Sequence, residues 1–159
     1  MTHEEKLEAR MKKFASAIVV VALSAWGMAV AAEPAPKLKL EFKRAETKAA
    51  EGLTEAKVGD SDKTIYLHKE ADLTNDDIAS ARVIEDENRP VVEIVFTKEG
   101  AKKAAKLSEE HQDKPVAIVV DGKVITAPII RSKLSEKAQF TGKFTKAEAE
   151  RIAKGIKPD

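Results

Sequence analysis

The sequence predicts an α+β fold: a mostly antiparallel sheet with about three helices packed on it, preceded by a signal helix. Three observations carry this. Two β-branched runs, Val116–Val120 and Lys123–Ala127, flank Asp121-Gly122, a pair that accepts the positive φ angles of a two-residue type I′ turn. Helix-start signals stand at Thr74, Thr97 and Thr145, each a hydroxyl side chain able to cap a first turn. An uncharged stretch, Phe14–Ala32, follows Lys12-Lys13, the arrangement of a secretory signal.

Taken in chain order, the first element is that signal, over residues 1–32, with Met11 as an alternative start. Ala17–Leu23 is its most apolar part, and Ala29-Val30-Ala31 and Val30-Ala31-Ala32 both satisfy the small-x-small rule. Cleavage before Ala32 or Glu33 is therefore expected. The alternative is a retained anchor, because 19 uncharged residues approach the length of a membrane span.

Pro34 and Pro36 mark residues 33–37 as a short extended linker, and one domain is expected over residues 38–159. Leu38, Leu40 and Phe42 alternate with Lys39, Glu41 and Lys43, the period of a half-buried strand. Residues 45–63 are polar with Gly52 and Gly59 and read as a loop. A second strand follows at Thr64–His68. Leu73-Thr74-Asn75-Asp76-Asp77-Ile78 predicts a helix start, with Thr74 as cap, Asp77 at the third position, and Leu73 and Ile78 as a staple.

Strands are expected at Arg82–Asp86 and Val91–Phe96, bent or paired around Asn88-Arg89-Pro90. A helix is expected over Lys98–Glu110. In the hairpin, Ile118 is expected to face Ile125 and Val119 to face Val124. Both of its faces are apolar, so both need covering. Pro128 has no N–H, so it ends the ladder or places it at an edge. Thr145 and Glu148 form a capping box before Ala149, Ile152, Ala153 and Ile156, an apolar face at i, i+3, i+4 and i+7.

Composition excludes several functions. The formal charge is +1, from 28 Lys+Arg against 27 Asp+Glu, and the first 32 residues account for it. The remainder is neutral, with acids and bases interleaved, which argues against nucleic acid as a partner. The absence of cysteine removes disulfides, thiolate metal sites and thiol nucleophiles. Aromatic residues make up only 4%, too few for a stacking platform.

Several blocks together resemble a known family. They are Ile65–Glu70; Leu73-Thr74 with Ile78 and Ala81; Pro90-Val91-Val92 with Phe96 and Glu99-Gly100-Ala101; Ala117–Ile130; and Thr141-Gly142-Lys143-Phe144 with Glu148-Ala149. Their order and spacing are similar to the head subdomain of the first periplasmic domain of SecD and SecDF, accessory proteins of the Sec preprotein translocase. The resemblance runs over about 90 of 159 positions. It implies a periplasmic or otherwise extracytoplasmic module that meets unfolded polypeptide. The family's glycine-rich turn before Thr-Gly is replaced here by Leu134–Gln139.

No catalytic apparatus, cofactor motif or metal-ligand spacing stands out, so no cofactor and no metal are expected. A hydrolase reading would use His68 as general base with a carboxylate of Asp72, Asp76 or Asp77 to orient it. The first-turn charges of Asp76 and Asp77 are accounted for by the helix dipole, and His111 by its place at the end of a helix. The lysine-rich stretch Lys98–Lys106 reads as a solvated helix face.

The leading expectation is a non-catalytic interaction module whose partners are unfolded exported polypeptides or cell-envelope proteins. Val124, Ile125, Ala127, Pro128, Ile129 and Ile130 form its candidate edge for strand addition, with Asp121 and Gly122 as the structural turn. The same six residues also suit an ordinary core. An envelope hydrolase and a purely structural module are the alternatives. No insertion into a membrane is expected after signal cleavage.

Overall fold

A computed structural model of the chain describes residues 36–157. The expected signal over residues 1–32 and its cleavage site lie outside the described residues, as does most of the expected linker 33–37. The alternating apolar residues of the first strand, β1 (Leu40–Glu46), bury Leu40 and Phe42. Eight further strands follow: β2 (Thr54–Lys57), β3 (Thr64–Leu67), β4 (Leu73–Thr74), β5 (Ile78–Asp86), β6 (Arg89–Phe96), β7 (Val116–Val120), β8 (Lys123–Thr126) and β9 (Lys137–Phe140). Among the described residues two helices, α1 (Lys98–Glu110) and α2 (Lys146–Ile156), complete the α+β architecture.

Six strands form one sheet in the order β2-β3-β1-β7-β8, with β4 beside β3 on the same edge of β1. The order β5-β6-β9 makes a second sheet. All strand pairs are antiparallel, as the sequence predicts.

Both expected helix caps after residue 90 form. The hydroxyl of Thr97 accepts from the Gly100 amide at 3.0 Å. Thr145 and Glu148 make the reciprocal capping box, the Thr145 amide donating to Glu148 Oε2 at 2.7 Å. Each cap satisfies amide donors that a helix start leaves unpaired.

The third helix does not form. The Thr74–Asp77 capping box is present, but it closes only a single 3-10 turn, Asn75–Asp77, after which β5 begins. A capping box marks where a turn starts and says nothing of how far it propagates. Here β5 finds a partner strand along its whole length in β6, and that ladder replaces intrahelical bonds. Two further strands arise where loops are expected. Thr54–Lys57 pairs with β3, and Lys137–Phe140 adds to the edge of β6, within the segment that departs from the family pattern.

A large core joins the inner faces of both sheets to the two helices. It holds Leu40, Phe42, Ile78, Val92, Ile94, Ile118, Phe140 and Ile156, with Leu107 from α1 and Ile152 from α2. A second, smaller core lies on the other face of the larger sheet and holds Ala45, Ile65, Leu67, Ala117, Val119, Val124 and Ala127. Every residue of β7 is therefore buried, alternating between the two cores, which fits the two-faced apolar pattern of that strand.

Two close approaches fix the helices. Gly100 packs on the backbone of Asp77, and any Cβ there would overlap the Asp77 carbonyl. At the far end of α2 the Leu38 amide donates to the Gly155 carbonyl at 2.7 Å. Asn75 sews the same seam: its Nδ2 donates to the carbonyls of Leu38 (2.9 Å) and Ile156 (2.8 Å), and its Oδ1 accepts from the Leu40 amide at 2.8 Å.

Candidate functional site

The β7–β8 hairpin turns through Asp121 at φ 49° and Gly122 at φ 80°, the two positive angles of the predicted turn. Asp121 also accepts from the Lys39 amide at 2.8 Å, and its own amide donates to the Lys39 carbonyl at 2.9 Å. The turn thus docks onto the start of β1. Val119 faces Val124 as expected. Ile118, however, pairs with Thr126 instead of Ile125, because the ladder shifts by one residue there.

That bulge has a packing cause. It leaves both Val124 and Ala127 in the second core while Ile125 packs against the first. An uninterrupted strand would send residues three apart to opposite faces. The six candidate edge residues are accordingly divided. Val124 and Ala127 are buried on one side and Ile130 on the other; Ile125 is half-buried. Only Pro128 and Ile129 are exposed, Ile129 at 45%.

The backbone beyond β8 is also engaged. Pro128 O accepts from the Val116 amide at 3.0 Å, and the Ile130 amide donates to Lys114 O at 3.1 Å. On the outer side of β8, the Gly59 amide of the β2–β3 turn donates to Val124 O at 2.8 Å, and Lys123 Nζ meets Asp60 Oδ1 at 3.2 Å. The edge of β8 therefore carries a strap.

Between this strap and the end of the second sheet lies an open groove of about 550 Å³. Ile125, Pro90 and Phe144 give it apolar surface, and Asp60, Arg89, Lys143 and Glu148 give it mixed charge. Gly142 shapes one wall, because a Cβ there would overlap the Phe144 ring and come within 3.4 Å of Ile125. The Thr145 backbone N–H, and then its hydroxyl, hold the Glu148 carboxyl below the usual carboxylate range. The groove was missed as a site in the sequence, although Pro90, Ile125 and Thr141–Phe144 all lie within the blocks that carry the family resemblance. What joins them is the tertiary fold.

The carboxylates proposed to serve His68 disperse. Asp72 engages Arg44 at 3.2 Å, and Asp77 engages Lys103 at 2.8 Å. Asp76 is exposed in the 3-10 turn. His68 instead lies 3.7 Å from Glu46 and edge-on to His111, ring centroids 6.2 Å apart.

Known proteins resemble this chain in sequence and in fold. The family model for the SecDF P1 head subdomain matches residues 50–157. The protein translocase subunit SecD of Aquifex aeolicus is 40% identical over 82 residues, 51% of this chain and 16% of that protein. SecDF of Thermus thermophilus is 42% identical over 83 residues, 51% of this chain and 11% of that protein. The chain thus spans less than a fifth of the length of these relatives.

Among solved structures, one of SecDF, described as a membrane component that enhances protein export, superposes with a TM-score of 0.63 at 28% identity. The match covers 77% of this chain and 63% of that one. Another, of SecDF in a super-membrane-facing form, gives 0.62 at 28% identity, covering 77% and 19%. A family match over two thirds of the sequence, from the loop before β2 through the end of α2, places this chain in the SecDF P1 head family.

Proposed function

We propose that this chain is an extracytoplasmic, non-catalytic interaction module of protein export, and that it receives unfolded polypeptide in the groove beside Ile125. The observation that carries this reading is the convergence of two family-like blocks, Ile125-Thr126 and Thr141–Phe144, on one open groove with apolar patches and a rim of both charge signs. Such a surface suits weak, sequence-tolerant contact: apolar side chains lodge against Ile125, Pro90 and Phe144, while mixed charge gives no strong selection by sign. One related protein, a membrane component SecDF, is described as enhancing protein export, and that activity is what this module would serve.

The test is a titration of the protein with a permanently unfolded polypeptide and with its folded counterpart, at low and high salt. Preference for the unfolded form, little weakened by salt and lost in Phe144→Ala but kept in Ile129→Asp, supports the groove. Loss in Ile129→Asp alone would move the contact to the exposed end of the candidate edge. Equal affinity for both forms, or binding abolished by moderate salt, would overturn the reading.

A further inference from the structure

Away from the groove, four ionisable side chains from three parts of the fold meet at the rim of the second core. Glu46 ends β1, His68 follows β3, and His111 caps α1 with Lys114 just beyond it. His111 is only 4% exposed. Its Nε2 faces the carbonyl oxygens of Ala45 at 3.0 Å and Pro115 at 3.1 Å. Two acceptors fix a hydrogen on that nitrogen, so the ring ties β1 to the approach of β7.

His68 is the opposite case. Its Nε2 is buried and has no hydrogen-bond partner, and the nearest carboxylate oxygen, Glu46 Oε1, stands 3.7 Å away. That is beyond hydrogen-bond reach. The same oxygen is held by Lys114 Nζ at 3.0 Å. A neutral His68 therefore leaves a buried polar nitrogen unsatisfied in either tautomer, which is unfavourable. A proton on His68 turns that nitrogen into a charged donor aimed at a carboxylate.

The other charged groups nearby are accounted for. Arg44, on β1, pairs with Asp72, and its carbonyl accepts the His68 amide at 3.0 Å. Lys48 and Glu51 lie in the 47–53 segment, which with Glu46 and His68 encloses an open pocket of about 380 Å³. His111, its Nε2 committed to two carbonyls, is the nearest ring.

We propose that Glu46, His68, His111 and Lys114 form a proton-operated latch: protonation of His68 draws Glu46 onto its Nε2 and tightens the 47–53 segment over the rim of the second core. Imidazole is the side chain that changes charge across mildly acidic to neutral pH. The latch closes as the pH falls through that range. Glu46 is the fixed anion throughout, because Lys114 holds its carboxyl below the usual range.

The test is NMR on the protein as it accumulates in the expressing cell, titrated from about pH 7.5 to about pH 5.5. The Glu46 carboxyl carbon should shift with the midpoint of the His68 ring. Amide protection over residues 47–53, corrected for intrinsic exchange, should rise on the order of threefold. His68→Gln should remove both responses, and Glu46→Gln should remove the rise in protection. A Glu46 carboxyl resonance that stays still across this window while the His68 ring titrates would overturn the latch without recourse to any variant. The same rise in protection in folded His68→Gln would overturn it too.

Discussion

The amide of Gly59 donates to the carbonyl of Val124 at 2.8 Å, so the turn between β2 and β3 straps the outer edge of β8. An exposed edge invites pairing with another chain, and this one is partly covered by its own protein. Gly59 sits at φ +55° with the Ile125 carbonyl 3.4 Å from where a Cβ would stand. Gly59→Ala should therefore cost about 1 kcal/mol from left-handed backbone strain. Hydrogen exchange should show lower protection of the β2 and β3 amides. Wild-type protection there would mean the strap does not depend on this residue.

At the hairpin tip, Gly122→Val should lower stability by about 1–3 kcal/mol, because a β-branched residue at positive φ is strained. Asp121→Asn should be far milder, since asparagine tolerates the left-handed region and its side-chain oxygen can still accept from the Lys39 amide. Thermal melts of the two variants check both. Equal losses would place the importance of this turn in the charge of Asp121.

Glycine inside a helix normally costs about 0.5–1 kcal/mol relative to alanine, so Gly100→Ala would ordinarily stabilise α1. Here the reverse is expected. The added Cβ would overlap the Asp77 carbonyl, and backbone cannot move aside as a flexible side chain can. A loss of about 1–3 kcal/mol by chemical denaturation follows, and a stabilised variant would contradict the packing of α1 on the 3-10 turn.

Which features the sequence discloses depends on the range of their causes. The Asp121-Gly122 turn and the Thr97 and Thr145 caps are local, and each was legible from a few residues. The Thr74 box was equally legible, but the element after it was decided by β6, out of reach of a local signal. β9 is harder still. Lys137-Ala138-Gln139-Phe140 has little strand propensity of its own, and Val92–Val95 supply its ladder. At the site, the bulge that shifts Thr126 opposite Ile118 lets the second core take both Val124 and Ala127 while the first takes Ile125, and no periodicity in a single strand reveals that division.

Acid should find one weak point at Glu93, which is 5% exposed on the second sheet. The Gln139 amide, and then the Arg82 guanidinium, hold its carboxyl below its ordinary value of 4.5. A depressed folded value contributes stability above the unfolded pKa, and that stability is lost as the pH falls through the folded value. Wild type should thus exceed Glu93→Gln in melting temperature near neutrality. The gap should narrow as the pH drops below about 4.5. A gap independent of pH would show that Glu93 acts through shape and not through charge.

Export is checked at the N-terminus. Sequencing of the mature protein should begin at Ala32 or Glu33, as the Ala29-Val30-Ala31 and Val30-Ala31-Ala32 sites predict. An intact Phe14–Ala32 in a membrane fraction would establish the anchor instead.

The seam that joins Leu38 to Gly155, reinforced by Asn75, bears on how such a module travels between genes. The polypeptide enters and leaves the fold at one doorway, so the unit can be spliced into a host chain without forcing the flanking segments apart. The relatives carry their similar stretch as 11% to 16% of a far longer polypeptide, and a single doorway makes that kind of insertion mechanically undemanding. By the same geometry, a short linker bridging the two ends and a new opening at the exposed Glu87-Asn88 turn should give a permuted chain that still folds.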